Sequence, residues 1–442
     1  MGGERFAHKT ENGFDRCIRC GLCLQSCPTY LETMTETSGP RGRIALMAEV
    51  AGDRLPCTSP GFVEQMSQCL GCLACEEVCP SGVPYGAMLE GARAVVEAAQ
   101  APLRSPAARR RRHFLLITLF THLSLLRLVA AGLRLAQRLG LDHRLERLGL
   151  VARLGLENAA ALAPRLPERP FRARNQRIEV PGSRTLAFLH VGCIMPLVFP
   201  SVHEATLRVL PHAGCACIVP NDQGCCGAIA LHSGEPEAAR RMAQSNIEAF
   251  ERSGAQSYVV NAAGCGAALK EYGRLFADDP AWAKRAERFS ACVSDICEFL
   301  DAGELDPLGS LELDVTYQDA CHLGHAQRIH DAPRRLLARI PGLRLVEQRE
   351  AELCCGSAGL YNLLEPAMAA RLGERKVRNI IETRASVVAT ANPGCSMQMD
   401  AGLRAAGARV RVAHVVELLD DAYRSYEAGT RSRSASASSN VR

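Results

Sequence analysis

The chain has 442 residues and an apolar fraction of 47%, which is enough for about three domains with packed cores. Its net charge of +5 is mild, and we expect no nucleic acid partner. Its 21 cysteines predict metal ligands in a reducing, cytoplasmic compartment, because disulfide scaffolds are short and secreted and residues 1–8 contain no apolar signal-peptide segment.

Two copies of one cysteine pattern lie within residues 1–100. Both read C-x2-C-x2-C-x3-C-P, the spacing that binds [4Fe–4S] clusters, and in two-cluster proteins the fourth cysteine of each run binds the other cluster. Structural zinc is the alternative, but zinc ribbons lack the x3-C-P ending. We therefore predict a helical, ferredoxin-like domain with two [4Fe–4S] clusters. The ligands predicted for the first cluster are Cys17, Cys20, Cys23 and Cys79, and those for the second are Cys69, Cys72, Cys75 and Cys27.

The segment Ser38–Arg43 between the two runs is rich in glycine and arginine. Its arginines can lie near a cluster, where their charge would favour the reduced form. A solvated Gly/Pro turn is the alternative.

Residues 101–183 predict a basic helical connector that ends in a proline- and arginine-rich linker over 161–184. Four arginines, Arg109–Arg112, precede the uncharged run Phe114–Leu126. This run is too short to span a membrane, since a span needs about 20 predominantly apolar residues. Two alternatives remain. One is a helix packed on the other domains, and the other is a contact between residues 109–133 and an anionic membrane surface.

The C-terminal two-thirds is an internal duplication, in which three cysteine landmarks recur at offsets of 128, 129 and 130 residues. Strand-like runs alternate with helical stretches, which predicts an α/β fold with parallel sheets. We predict repeat 1 at 184–305, repeat 2 at 306–425 and a disordered tail at 426–442, so the whole chain is an α+β multidomain protein. The predicted strands are Thr185–Val191, Ala216–Val219, Ser257–Asn261, Val315–Gln318, Leu343–Val346 and Ser386–Thr390.

Each repeat places four cysteines just after the carboxyl ends of strands, where open α/β sheets gather their sites. Four thiolates suffice for one further Fe–S cluster in each repeat. A redox-active dithiol and a packing role after loss of a site are the alternatives. The four cysteines are Cys193, Cys225, Cys226 and Cys265 in repeat 1, and Cys321, Cys354, Cys355 and Cys395 in repeat 2.

Several histidines and five further cysteines complete the inventory of reactive side chains. His322 follows Cys321 and could be a ligand or a proton carrier, but a structural role is favoured because four cysteines already fill a site. The other histidines near the repeats are His190, His203 and His325. The remaining cysteines, predicted to be free and mostly packed thiols, are Cys57, Cys215, Cys217, Cys292 and Cys297.

These motifs resemble those of the bacterial glycolate oxidase iron–sulfur subunit family, which belongs to the wider group of CCG-domain Fe–S proteins. The resemblance rests on the two cysteine runs, the two CCG sites and the segments Gly39–Arg43, Gly264–Gly273 and Leu353–Tyr361, and it covers about residues 10–425. The wider group includes subunits of lactate-utilisation complexes, of anaerobic glycerol-3-phosphate dehydrogenase and of heterodisulfide reductase.

One departure weakens the heterodisulfide alternative. The heterodisulfide reductase subunit typically closes each repeat with C-x2-C, whereas Ala268 and Gln398 occupy the final position here. An unusual, substrate-binding cluster of that type is therefore in doubt.

The sequence shows neither G-x-G-x-x-G opening a helix nor G-x4-G-K-[ST], so it predicts no flavin or dinucleotide site and no catalytic residue. The resemblance implies an electron-transfer subunit that is inactive alone. A partner flavin subunit would oxidise glycolate to glyoxylate, and this chain would pass single electrons to a quinone or another membrane acceptor. We expect it to lie in the cytoplasm, and a peripheral position on the inner face of the membrane is the alternative that residues 109–133 leave open. The alternatives are a lactate-utilisation or glycerol-3-phosphate dehydrogenase subunit, a thiol–disulfide reductase subunit and an assembly scaffold.

Overall fold

The computed structural model describes residues 13–153, 157–183 and 185–439. The N-terminal part is helical and has its own core, in which Met47, Phe62 and Met88 are fully buried. Proline begins three of its helices, at a position where its missing N–H leaves no bond unmade. The helices are Pro28–Thr33, Pro40–Ala51, Pro60–Gln68, Ala74–Glu77 and Tyr85–Gln100, with 3-10 turns at Leu22–Leu24, Glu36–Ser38 and Ala101–Leu103.

A chain of short helices connects this domain to the repeats. One face packs on the core of the repeats through Phe120, Leu126 and Ala130. No single described helix is long and apolar enough to cross a bilayer; Pro106–Thr121 and Leu123–Arg138 reach that length and composition only together, and they are bent by 103°. The connector elements are Pro106–His113, the π-helical turn Phe114–Thr118, Leu119–Thr121, Leu123–Arg138, Leu141–Arg147, Leu150–Arg153 and Glu157–Leu162.

Repeat 1 is built on a five-stranded sheet. Its strands are β1 (Gln176–Ile178), β2 (Leu186–His190), β3 (Ala216–Val219), β4 (Ser257–Val260) and β5 (Val293–Asp295). Their order is β1-β3-β2-β4-β5, and all neighbours are parallel except β1 and β3. The helices are Met195–Val198, Pro200–His212, Ala228–His232, Pro236–Ser253, Ala263–Lys270, Tyr272–Leu275, Ala283–Ala291 and Ile296–Asp301.

Repeat 2 repeats this topology with four parallel strands. They are β6 (Leu313–Tyr317), β7 (Leu343–Leu345), β8 (Val387–Thr390) and β9 (Arg411–His414), in the order β7-β6-β8-β9. Its helices are the π-helical turn His322–Ala326, followed by Ala332–Ala338, Tyr361–Leu364, Pro366–Glu382, Pro393–Ala405 and Val415–Ser439. The predicted duplication of an α/β unit behind a ferredoxin-like domain is therefore confirmed.

The two repeats exchange their last helices and share one hydrophobic core. Arg208 of repeat 1 binds Asp420 of the final helix at 2.7 and 2.8 Å. The equivalent pair runs the other way, since Asp301 at the end of repeat 1 accepts from Arg335 of repeat 2 at 2.6 Å. This reciprocity makes the repeats one pseudo-symmetric unit.

Equivalent helix caps support the same relationship. Asp295 accepts the N–H two residues ahead at 2.8 Å, and Glu298 accepts the N–H of Asp295. In repeat 2, His414 Nδ1 accepts the corresponding N–H at 3.1 Å, and Glu417 accepts the N–H of His414. Because Nδ1 accepts, Nε2 carries the proton and donates to the Asn261 carbonyl of repeat 1 at 3.0 Å.

Two predicted boundaries differ from the structure. The predicted linker over 161–184 includes β1, whose three residues are too few for a recognisable pattern and which is defined by pairing with the edge of the sheet. The tail predicted as disordered over 426–442 is helical as far as Ser439, and 440–442 lie outside the described residues. Buried Leu418 and Tyr423 hold the first part of the final helix in place. Once a helix has formed, each further residue adds one backbone hydrogen bond, so the helix extends beyond its packed part.

Candidate metal centres

The first cysteine run lies around a cavity at the surface of the N-terminal domain. Its cysteine lining consists of Cys17, Cys20, Cys23, Cys75 and Cys79. Cys20 is exposed, whereas burial, followed by the charge of Cys17, raises the pKa of Cys23 to about 11. The first predicted ligand set is thus at the surface, with its predicted fourth member from the other run beside it.

A buried arginine lies beside the second set. Arg43 donates from Nε to the Gln65 carbonyl at 2.8 Å and from Nη1 to Thr29 Oγ1 at 3.1 Å. The sulfur of Cys27 lies 3.3 Å from the same hydroxyl. Burial raises the pKa of Cys69, but the charge of Arg43 and that of a second arginine bring it below its usual value. The two arginines therefore favour the thiolate of Cys69, whereas burial raises the pKa of Cys72 and that of Cys75 in the same set.

Both arginines of Ser38–Arg43 lie at the cysteine sets. Arg41 lines the surface cavity and pairs with Glu36 at 2.6 Å, while Arg43 is almost fully buried. Gly39 is the N-cap residue of the helix Pro40–Ala51, and Pro40 is its first residue, so the two do not form a solvated turn. Of the two interpretations of this segment, the structure favours arginines placed near the cysteines.

The four cysteines of repeat 1 form two close pairs. Cys225 Sγ lies 3.5 Å from Cys193 Sγ, and Cys226 Sγ lies 3.2 Å from Cys265 Sγ. They follow the carboxyl ends of β2, β3 and β4, and all four lie in or beside the buried core. Parallel strands end at one edge of the sheet, so distant parts of the sequence bring their thiols together.

The glycine of each CCG motif is required by its surroundings. Gly227 has φ +82°, and a Cβ there would lie 3.2 Å from the backbone of Ala239. Gly356 has φ +86°, and a Cβ would lie 2.8 Å from the Ala369 carbonyl. A left-handed backbone pressed against a helix excludes any side chain, which explains why the third letter of the motif is glycine.

The cysteines of repeat 2 pair in the same way. The neighbouring thiol of Cys321 raises the pKa of Cys354, and the neighbouring thiols of Cys354 and Cys395 lower the pKa of Cys355. Both predicted sets of four are therefore brought together by the fold.

The surroundings of the two sets differ at the carboxyl ends of β2 in repeat 1 and β6 in repeat 2. In repeat 1 His190 Nδ1 lies 2.7 Å from Tyr258 Oη, and the imidazole lies beside Cys265. At the equivalent positions repeat 2 has Gln318 and Val388. A His–Tyr pair thus faces the cysteines of repeat 1 alone.

A second difference lies behind the CCG loops. Asn246 of repeat 1 donates to the Cys225 carbonyl at 2.9 Å. Repeat 2 has Lys376 at this position, fully buried and donating to the carbonyls of Glu350 and Ala351. Burial lowers the pKa of Lys376, and the cysteines at its side act in the opposite direction. Repeat 2 therefore has a buried cation where repeat 1 has a neutral amide.

The second run of the N-terminal domain contacts the cysteine site of repeat 2. Cys72 and Cys321 both pack against one buried cluster, which includes Leu70 and Cys354. Burial, followed by the charge of Cys321, raises the pKa of Cys72. His322 Nε2 bonds to the Gly71 carbonyl at 3.0 Å, and Tyr361 Oη donates to the Gln68 carbonyl at 3.0 Å. The two cysteine sets meet across this interface.

The same domain also contacts repeat 1. Glu90 lies 3.3 Å from His232 and 2.8 Å from Arg274. Burial raises the pKa of Glu90, but hydrogen bonds and charge from these two partners lower it to about 2. The N-terminal domain therefore bridges the two repeats on the side that carries their cysteines.

Unsatisfied donors show what the sites would accept. Arg43 Nη2 beside the second set and His190 Nε2 beside the repeat 1 set are buried, and neither has a hydrogen-bond partner among the described residues. Fe–S clusters offer sulfur acceptors and negative charge, and each set offers the four soft thiolates that a cluster needs. The residues present therefore fit such a group. Within the described ranges, no three Cys, His, Asp or Glu side chains are arranged around a single metal ion.

The histidines near the repeats are held in structural roles. His203 bonds from Nε2 to the Val191 carbonyl at 3.1 Å, and burial lowers its pKa to about 3. Burial also lowers the pKa of His322 to about 4. His325 pairs with Glu77 of the N-terminal domain. Among the histidines that the structure describes, only His190 combines burial beside a cysteine set with an unsatisfied ring nitrogen.

The five remaining cysteines lie outside the four predicted sets, and the structure describes no disulfide at any of them. Cys215, Cys217 and Cys297 are buried, while Cys57 and Cys292 are half-buried. Sequence reasoning missed Lys376 and Asn246, as well as the His190–Tyr258 pair. An alignment of the two repeats at the offset of 130 residues would have shown Lys376 opposite Asn246. A lysine within an apolar helix face is unusual, so this alignment would have marked the position as a difference between the repeats.

Comparisons with known proteins agree with this architecture. Residues 13–83 match the family model of the 4Fe-4S dicluster domain, and residues 187–270 and 315–400 match that of the cysteine-rich domain called CCG. The chain is 39% identical to the probable glycolate oxidase iron-sulfur subunit of Bacillus subtilis, with 92% of this chain and 93% of that protein covered.

Two further relatives differ in how much of this chain they cover. The glycolate oxidase iron-sulfur subunit of Escherichia coli is 31% identical over 92% of this chain and 93% of its own length. Lactate utilization protein A of an Exiguobacterium strain is 32% identical, but this match covers 53% of this chain and 96% of that protein. The chain is an Fe–S subunit of an oxidoreductase complex, and it belongs to the glycolate oxidase iron–sulfur subunit family within the CCG-domain Fe–S proteins.

Proposed function

We propose that this chain is the electron-transfer subunit of a glycolate dehydrogenase complex, in which a partner flavin subunit oxidises glycolate to glyoxylate. The observation that carries the proposal is the buried cluster against which both Cys72 and Cys321 pack, which joins a ferredoxin-type cysteine set to a CCG set. A single-electron relay needs its sites close together and shielded from water, and the packing of both thiols on one buried cluster supports this role.

The cysteine sets would hold two [4Fe–4S] clusters in the N-terminal domain and one cluster in each repeat. Such clusters accept and release one electron at a time. Arg43 and Lys376 place buried positive charge beside the second set and the repeat 2 set, where it would favour added negative charge. The chain itself binds and insulates these sites and contributes no group that could accept a hydride.

The surface cavity of the first set is the proposed docking point of the flavin subunit. Cys20 is exposed, and its sequence neighbours Ile18 and Leu22 are 68% and 56% exposed. Apolar side chains exposed around a redox site are typical of an interface that a partner covers. Electrons would then enter at the surface and move inward.

The connector supports a peripheral membrane position, facing a quinone or another membrane acceptor from the cytoplasm. Residues 109–133 combine Arg109–Arg111, all exposed, with exposed Phe114, Leu115 and Leu128. Positive charge beside apolar side chains suits an anionic lipid surface. One face of this segment packs on the repeats, as the first sequence alternative predicts, and we propose the membrane contact for its other face.

The test is reduction of the chain by substrate. The chain is purified without oxygen together with its flavin-containing partner, and EPR spectra are recorded after addition of glycolate. We expect reduced-cluster signals with the partner present and none with the chain alone. Reduction of the clusters by glycolate when the chain is alone would contradict the proposal. So would the failure of every 2-hydroxy acid to reduce them when the partner is present. Stronger reduction by lactate or by glycerol-3-phosphate would favour the corresponding alternative complex.

A further inference from the structure

A cavity of about 380 Å³ lies between the connector helix Leu123–Arg138 and the segment 168–172. Its inner wall includes Phe171 and Leu197, both almost fully buried. Leu197 lies in the helix that directly follows Cys193. The cavity therefore joins the connector to the polypeptide that carries a predicted cluster ligand.

The lining of this cavity is strongly cationic. It contains one acidic residue, Glu168, and none of the arginines has an ion-pair partner among the residues that the structure describes. Arg134 donates from Nε to the Pro167 carbonyl at 2.6 Å, while its Nη2 is buried with no hydrogen-bond partner in the described chain. Uncompensated guanidinium groups around a cavity favour an anionic ligand with several acceptor oxygens. The arginines are Arg127, Arg134, Arg138, Arg169 and Arg172.

An apolar stripe runs beside these arginines on the same helix. Leu128, Leu135 and Leu139 each follow a cavity arginine by one position. Leu128 and Leu135 therefore lie on the neighbouring face of the helix, where Leu135 also lines the cavity, and Leu139 directly follows the last helical residue. They are 68%, 58% and 56% exposed. Ten of the exposed large apolar side chains lie within residues 114–148, a segment with few acidic residues. Guanidinium heads next to exposed leucines match the boundary between lipid headgroups and acyl chains.

We propose that this cavity binds the phosphodiester headgroup of an anionic phospholipid, with the leucine stripe in contact with the acyl chains. The proposal rests on the peripheral membrane attachment proposed above and names the lipid that anchors it. Free phosphate offers the same oxygens but no acyl chain. A headgroup held here would bring the Cys193 site of repeat 1 to the bilayer, where lipid-soluble acceptors are found.

The experiment is vesicle flotation of the intact complex, purified without oxygen. Phosphatidylcholine vesicles are compared with vesicles that also contain phosphatidylglycerol. We expect the paired change Arg127→Gln and Arg138→Gln to weaken binding to the anionic vesicles by about fivefold per arginine. The matched control is Arg144→Gln with Arg147→Gln, which removes the same charge from exposed positions outside the cavity and should have a clearly smaller effect.

Further arms identify the ligand source. Leu128→Ser with Leu135→Ser should weaken binding to both kinds of vesicle, and Arg134→Gln tests the buried guanidinium. Equal losses in the cavity and control pairs would overturn the site, and so would binding without preference for phosphatidylglycerol. Full displacement by inorganic phosphate at millimolar concentration would identify a free-phosphate site instead. Iron content verifies folding, and reduction by glycolate without vesicles should be unchanged, so failure of this site is distinguishable from failure of the proposed function.

Discussion

His190 Nδ1 lies 2.7 Å from Tyr258 Oη, while Nε2 of the same ring is buried beside the cysteines of repeat 1 with no partner among the described residues. When the tyrosine donates to Nδ1, Nε2 carries the proton and can donate to a sulfur atom. Hydrogen bonds to sulfur stabilise the reduced, more negative state of a cluster. Gln318 occupies the equivalent position in repeat 2, which makes the two sites unequal.

The first prediction follows from this inequality. His190→Gln should lower the midpoint potential of the repeat 1 site by an amount on the order of tens of millivolts, the equivalent of about 1 kcal/mol. The measurement is a redox titration followed by EPR. The reciprocal change Gln318→His should change the midpoint potential of the repeat 2 site and leave the potential of the repeat 1 site unaltered. Unchanged potentials in both variants would mean that the ring has only a packing role.

The second prediction concerns the crossed ligands of the N-terminal domain. Cys79→Ser should damage the cluster of Cys17, Cys20 and Cys23 more than the cluster of its own run, because Cys79 lines the cavity of the first run. Iron content and EPR signals of the two clusters check this. Cys27→Ser is the matched change and should damage the second cluster. Damage confined to the run that carries each mutation would contradict the crossed assignment.

The third prediction concerns the contact between the N-terminal domain and repeat 1. Glu90→Gln should lower the free energy of unfolding by about 1–3 kcal/mol, because Arg274 and His232 lose a buried, charged acceptor. The measurement is denaturant unfolding at pH 7, well above the Glu90 pKa of about 2, where the carboxylate is charged. The control is Glu49→Gln, which removes the exposed pair with Arg54 and should leave stability unchanged.

The fourth prediction concerns the CCG loop of repeat 2. Gly356→Ala should abolish iron binding by this repeat, because its Cβ would press on the Ala369 carbonyl from a left-handed backbone. Gly359 lies in the same loop with φ +68° and has nothing within 4 Å of an added Cβ. Gly359→Ala should therefore cost only the conformational strain, about 1–2 kcal/mol, and retain the iron. Equal iron loss in both variants would show that the strain alone is responsible.

Local spacing determined the chemistry of this chain. The ligands within Cys17–Cys23 are only three residues apart, so chain geometry alone brings them to one cluster, and the sequence suffices to predict it. The offset between Cys225 and Cys354 likewise revealed the duplication without any structure. The apolar runs that became β2, β4, β6 and β8 were predicted for the same reason, since buried parallel strands are nearly continuous in hydrophobicity.

Only the tertiary structure decided which sites are neighbours and how they differ. Cys72 and Cys321 are far apart in sequence and meet because the N-terminal domain docks on repeat 2, through contacts that leave no periodic pattern. The charge of Lys376 matters because packing buries it behind Cys355, and no local rule sets that depth. Ligand spacing is a short-range property of the chain, whereas burial and the contacts between domains arise from the whole fold. This is why the sequence predicted the ligand sets and only the structure decided which sets are neighbours.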